Sequence, residues 1–387
     1  MRKSILRPKV NISFFLPEIS KDDKKKILKI FDSRILTNGP NVEKFENVFK
    51  KFTSSKHAVA VSNATAALHL SLMALGIGKN DEVIVPNMTF LATANSVLMT
   101  GATPVLADVN LSDYNISVDS FKKSITKRTK AVIPVHFAGK ACKMDTIVTI
   151  AKKNNLSIVE DCAHAIGAKF KKKHVGTFGQ AGCFSFYPTK NITTLEGGMI
   201  ITNSKQIAET TKITRNHGID RTLKDRYATG KPWEYDIKFN GYNYRMDEVR
   251  ASLGTNQLKR ISKINLSRRK AFQYYIKKFS GIDGVILPNS ENLNDNACHL
   301  FIIRFDKDRF GMSRDKIFKE LLKIGISTSV HYKPLNLFTI FKKKAKIYTS
   351  LDNSAKLYNE ILSLPFYTGI RQKEQDIVIE SIKSLNS

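Results

Sequence analysis

Lys190 is set apart from the other lysines of this chain. Those fall in runs, KDDKKK at 21–26, KFKKKH at 169–174 and FKKKAK at 341–346, whereas Lys190 follows GCFSFYPT and precedes NITTLEGG. The apolar alternation of GCFSF reads as a strand, Pro188 stops it, and the lysine sits just beyond the strand end. Burial and nearby positive charge lower the pKa of such an amine, so that its free form can act as nucleophile and base. A free amine also condenses with an aldehyde to a Schiff base. Three further groups stand at strand ends. Asp161 closes the apolar run LSIVE, with His164 three residues on; Ser62-Asn63-Ala64-Thr65 follows HAVAV and opens a helix; Phe90 follows EVIVP and its turn. Taken singly, each has a structural reading: a helix cap, a core aromatic, a capping carboxylate, an unremarkable histidine. Taken together they supply exposed amides and a hydroxyl for a phosphate, an aromatic face for a flat ring, an acid and a lone amine. Pyridoxal 5'-phosphate requires all four at once, because its ring becomes an electron sink when a carboxylate keeps the pyridine nitrogen protonated.

These groups must be carried by regular elements. Apolar patterning predicts strands at 57–61, 82–86, 103–109, 130–137, 156–161 and 182–186. Between them it predicts a helix from about Ala64 to Leu75, capped by Asn63 and ended by Gly76, and helices near 90–99 and 145–154. Strand–helix alternation of this kind gives an α/β fold with a mostly parallel sheet covered by helices. In such sheets ligands bind outside the carboxyl ends of the strands, where the four groups fall. After about residue 250 the pattern changes to a long helical stretch, Asp247 to Lys278, a strand in HLFIIRF and a helix near 313–324, read as a smaller α+β domain.

With 387 residues the chain is long enough for two domains, and its 42% hydrophobic and 25% charged residues are those of a folded globular protein. The basic start, MRKSILRPKV, is followed by no apolar run of signal-peptide length, and no stretch approaches a membrane span, so no membrane insertion is expected. Cys142, Cys162, Cys183 and Cys298 lack metal-ligand spacing and read as small buried hydrophobes of a reduced, cytoplasmic protein; no metal site is expected. The net charge of +29 permits a polyanionic partner, but its lysine runs read as solvated faces. No zinc-finger, basic-zipper or RNA-binding signature accompanies them, which makes a nucleic-acid partner unexpected.

The stretches SRILTNGPNVEKFE (33–46), SNATAALHLSLMALGIG (62–78), DEVIVPNMTFLATANSV (81–97), VHFAGKACKMD (135–145), EDCAHAIGA (160–168), FSFYPTKNITTLEGGM (184–199), RNHG (215–218) and GYNYRMDEVRASLG (241–254), with HYKPL at 331–335, resemble in content and order the DegT/DnrJ/EryC1/StrS sugar aminotransferases. That resemblance implies the type I fold of pyridoxal-phosphate-dependent transferases. It places a large domain at 1–255, with an N-terminal helical segment and a seven-stranded, mostly parallel sheet between helices, and a small domain at 256–387. It also implies roles. Lys190 would be the Schiff-base lysine, Asp161 would pair with the pyridine nitrogen, His164 would lie near the ring hydroxyl and Phe90 would stack on the ring. Ala64, Thr65 and Ser185 would hold the phosphate. Asn243 would reach it from the other subunit of a homodimer with shared active sites, and His217, Arg245 and His331 would line the substrate side.

The implied reaction moves an amino group, usually from L-glutamate, to a nucleotide-diphosphate-linked keto sugar. KNITTLEGG is similar to members that aminate C-4 of a 4-keto-6-deoxyhexose, whereas C-3 members more often read KNLGxxGDGG. Three other readings compete: a dehydratase of the same family, which carries His in place of the lysine; a C-3 or cyclitol aminotransferase; and an inactive basic regulatory or nucleic-acid-binding protein on the same fold. Lys140, Lys143 and Leu195 depart from the family pattern and bear on substrate detail rather than on the chemistry.

Overall fold

The computed structural model describes residues 10–220, 227–228, 230–237 and 240–386; nearly all of the basic N-terminal segment MRKSILRPKV lies outside them. Seven strands build the main sheet: β1 His57–Val61, β2 Glu82–Pro86, β3 Thr103–Ala107, β4 Thr129–Val132, β5 Ser157–Asp161, β6 Ala181–Ser185 and β7 Gly198–Thr202. Their order is β1-β7-β6-β5-β4-β2-β3, and a two-residue strand at Lys346–Ile347 extends the far edge to eight. All neighbours pair in parallel except β7, which is antiparallel to both β1 and β6. The expected seven strands are present, but β7 was not separately expected, and the eighth comes from the C-terminal part of the chain. Two residues are too short a run to carry a period, and their effect is to cover the edge of β3.

Side-chain alternation along β6 decides what each face holds. Cys183 packs with Leu68 and Leu72 of α3 (Ala64–Ala74) and with Ala94 and Val97 of α4 (Leu91–Met99). Phe184 and Phe186 point to the opposite face, against Phe45 and Phe49 of α2 (Pro40–Thr53). Ser185, between the two phenylalanines, therefore belongs to the α3 face. The first helix, α1 (Lys21–Phe31), joins the molecule through Asp23, which is buried and accepts from both Arg260 nitrogens at 2.9 and 3.2 Å.

The long helical stretch expected at 247–278 is two helices, Glu248–Leu258 and Ile261–Phe279. The break at Lys259-Arg260 has no Pro or Gly; it falls where Arg260 turns to Asp23 and Ser20. A second core lies beyond it, with Phe272, Tyr275 and Phe279 against Phe301, Ile303 and Phe305. Its three-stranded antiparallel sheet is formed by 285–286, 302–305 and 361–363. Among the described residues no helix is long and apolar enough to cross a membrane.

Candidate active site

β1 and β6 meet the amino end of α3, and there the chain leaves donors free. Asn63 caps the helix by accepting from the Ala66 amide at 2.8 Å. The amides of Ala64 and Thr65 and the Thr65 hydroxyl have no acceptor or partner among the described residues. Gly198, at the start of β7, packs so closely that a Cβ there would sit 2.5 Å from the Asn63 carbonyl carbon and 2.9 Å from the Ala64 nitrogen. The Ser185 hydroxyl lies on the same face and accepts only a long contact, 3.4 Å from the Tyr187 amide. Free amides and hydroxyls at the positive end of a helix are the chemistry that holds a phosphate.

Asp161 ends β5 and is buried. Its Oδ2 accepts from the Thr93 hydroxyl at 2.9 Å and its Oδ1 from the Ala163 amide at 3.1 Å. Burial pushes its carboxyl above the usual range, against the pull of Ala163, Thr93, Lys190 and His136. A buried acid in that state is stabilised in its charged form by an added cation, and a protonated pyridine nitrogen is one. Lys190 lies in the turn after β6; its backbone amide donates to the Tyr187 carbonyl at 2.9 Å, while its side-chain amine has no hydrogen bond or ion pair among the described residues. Burial lowers its amine to about 8 from 10.5, opposed by the charge of Asp161. The residues present thus fit pyridoxal phosphate: unpaired donors for the phosphate, a buried acid short of a cation, and an amine that is half deprotonated near pH 8.

Labelling follows from the sign of this shift. Below about 8 the Lys190 amine is protonated and unreactive; above it the free base dominates. An amine-directed reagent applied to the cofactor-free protein is expected to modify Lys190 with a half-maximal rate near pH 8. Peptide mapping across a pH series measures it, and a Lys190 midpoint at the ordinary lysine value of about 10.4 would contradict the buried setting.

His164 is buried and accepts from the Ala138 amide through Nδ1 at 3.3 Å; its Nε2 meets the Tyr332 hydroxyl at 3.0 Å. Phe90 caps α4 and is 56% exposed, its ring centroid 5.9 Å from that of Tyr332. An aromatic so open beside a buried acid is available to cover a flat ligand. His331 reaches the same region, its Nδ1 on the Ser363 hydroxyl at 2.8 Å and its ring stacked on Phe14. Burial first, then the Lys190 charge, drives its imidazole down to about 3.

Asn243, Arg245 and His217 form a separate group. Tyr244 accepts from the Ser62 amide at 2.8 Å, which sets this segment beside the start of α3. Arg245 donates to Asn216 Oδ1 at 2.9 Å, and Asn243 pairs with Asn216 as an isolated bridge. Asn243 and His217 are both exposed, and neither has a hydrogen bond to Lys190 or Asp161 among the described residues. The sequence reading overlooked Thr93, Asn191, His299 and Tyr332. Tyr332 had a signal, its place in HYKPL; His299 had none, since only packing brings it to Lys190's loop.

One buried cluster, His136, Glu160 and Cys162, has donors close enough together for a metal ion. The histidine and the carboxylate are already engaged by the protein. His136 Nδ1 accepts from the Cys142 amide at 3.1 Å, so its Nε2–H donates to Glu160 at 3.0 Å. Glu160 also accepts from the Gly176, Phe178 and Gly179 amides at 2.7, 2.7 and 2.8 Å. The cluster therefore stitches residues 176–179 to β5.

The family model of the DegT/DnrJ/EryC1/StrS aminotransferases matches residues 17–383. The chain belongs to this family. It is a pyridoxal-phosphate-dependent aminotransferase. Among curated relatives, the spore coat polysaccharide biosynthesis protein SpsC of Bacillus subtilis is 37% identical over 377 residues, covering 97% of each chain. Among solved structures, Spr1654 of Streptococcus pneumoniae in its PMP form superposes with a TM-score of 0.89 at 31% identity, covering 97% of this chain and 99% of that one. Helicobacter pylori PseC, an aminotransferase involved in the biosynthesis of pseudoaminic acid, gives 0.87 at 30% identity, covering 97% and 99%.

Proposed function

We propose that this sugar aminotransferase takes an amino group from L-glutamate and places it on C-4 of a nucleotide-diphosphate-linked 4-keto-6-deoxyhexose, in the cytoplasm. The observation that carries the chemistry is the convergence of Lys190, with its lowered pKa, and the buried Asp161 beside the unpaired amides at the start of α3. Bound there, the cofactor supplies an electron sink for the substrate carbon. The protein supplies the rest. Ala64, Thr65 and Ser185 hold the phosphate, Asp161 keeps the ring nitrogen protonated and Phe90 covers the ring. The Lys190 amine would take up and return the proton of the substrate carbon. PseC and SpsC, named for pseudoaminic acid and coat polysaccharide synthesis, support a sugar acceptor. The C-4 assignment rests on the likeness of KNITTLEGG to C-4 members. Glutamate-dependent amination of a panel of nucleotide-linked 4-keto and 3-keto sugars, with the product position read by NMR, tests it; turnover confined to 3-keto sugars would overturn it.

The enzyme is proposed to work as a homodimer in which Asn243, exposed in the single chain, completes the partner's phosphate site. Lys190→Ala and Asn243→Asp should each be inactive, the latter because a carboxylate at close range repels phosphate. In a mixed dimer one site collects both defects and the other neither, by the two-fold symmetry of an isologous pair. Co-expression should therefore restore up to about half of wild-type activity per heterodimer. Well-formed heterodimers without recovery would place Asn243 within its own chain's site.

A further inference from the structure

Hydrogen-bond direction at His164 singles out a residue that the reading above leaves unused. A backbone amide can only donate, so the Ala138 N–H claims the lone pair on His164 Nδ1. The ring is then neutral with its hydrogen on Nε2, and that hydrogen goes to the Tyr332 oxygen. His164 is thereby spent on Tyr332, and the hydrogen of Tyr332 itself has no acceptor among the described residues. Its ring packs against those of Phe90 and Phe137, each at a centroid distance of 5.9 Å, and lies near enough to Asp161 for that carboxylate's charge to act on the hydroxyl.

The arrangement is braced from behind. The His299 ring lies tilted against His164, with ring centroids 4.4 Å apart. Asn191, next to Lys190, spends its amide hydrogens on Asn265 Oδ1 and the Ala297 carbonyl at 2.8 and 2.7 Å, so its oxygen accepts from His299 Nδ1 at 3.2 Å. Arg268, buried with carbonyls as its recorded hydrogen-bond partners, grips the backbone of Cys298 and His299 at 2.7 and 2.6 Å. The lysine's loop and the His164 ring are thus held in one frame, and the Tyr332 hydroxyl is the donor which that frame leaves free.

We propose that Tyr332 is a further ligand-binding residue of the site, donating its hydroxyl hydrogen to an anionic oxygen. Two sources carry such an oxygen: the deprotonated ring hydroxyl of the cofactor and a carboxylate of the amino donor. This rests on the functional reading given above.

Tyr332→Phe tests it, because the ring that packs against Phe90 and Phe137 is kept and only the oxygen is lost. The cofactor-free wild type and variant are titrated with pyridoxal phosphate, with its 3-deoxy analogue and with 2-oxoglutarate, following intrinsic fluorescence. A lost hydrogen bond to a charged oxygen weakens binding on the order of 10- to 100-fold. Weakening toward pyridoxal phosphate but not toward the analogue assigns the ring oxygen. Weakening toward 2-oxoglutarate alone assigns the donor carboxylate. Unchanged affinity for all three overturns the proposal. Borohydride reduction with peptide mapping reads the functional assignment separately: label on Lys190 with equal affinities sinks Tyr332 alone, and no label on Lys190 of the wild type sinks both.

Discussion

Lys190→Ala is expected to lose transamination and the yellow absorbance of the bound cofactor together. The proton-transfer role alone accounts for a loss on the order of 10²–10⁴-fold, and removal of the amine that joins the cofactor to the protein takes turnover lower still. Binding of pyridoxamine phosphate should survive, because it needs no lysine: the free amides of Ala64 and Thr65, the Ser185 hydroxyl and Asp161 are untouched. Stability should change little or improve, since the native setting disfavours the protonated amine and alanine removes that cost. The checks are turnover, absorbance, and fluorescence titration with pyridoxamine phosphate. A variant that turns over at near wild-type rate, or borohydride label found on another lysine, removes Lys190 from the mechanism.

Asp161→Asn is expected to fold, to bind cofactor and to turn over about two to three decades more slowly, the loss of roughly 3–4 kcal/mol that one preorganised electrostatic partner supplies. The amide is isosteric, and Thr93, which also contacts the Thr89 hydroxyl at 2.9 Å, can turn its hydrogen to suit the new group. What the amide lacks is charge, and without it the ring nitrogen is not held protonated. Single-turnover rates with glutamate separate this from weaker binding: the chemical step should slow while the amount of bound cofactor stays near that of the wild type. Near-normal turnover would make Asp161 a structural cap of the strand end.

How far these residues could be read in advance depends on the range of the forces that place them. Local pattern determined α3, its Asn63 cap, and β1, β2 and β5, because periodicity and capping act over a few residues. It also led to the expectation that Lys190, Asp161, Thr65 and Phe90 gather, since strand ends of a parallel sheet share one rim. The family and the cofactor were legible from the same stretches. Tertiary structure alone decided the rest. The break at Lys259-Arg260 has no local breaker and follows from the buried Asp23 of a helix more than two hundred residues away. The edge strand at 346–347 exists only because β3 offers it unpaired groups. The hydrogen on His164 Nε2, and with it the free donor of Tyr332, is set by an amide at Ala138. Hydrogen-bond direction is a property of neighbours in space, and no sequence spacing encodes it.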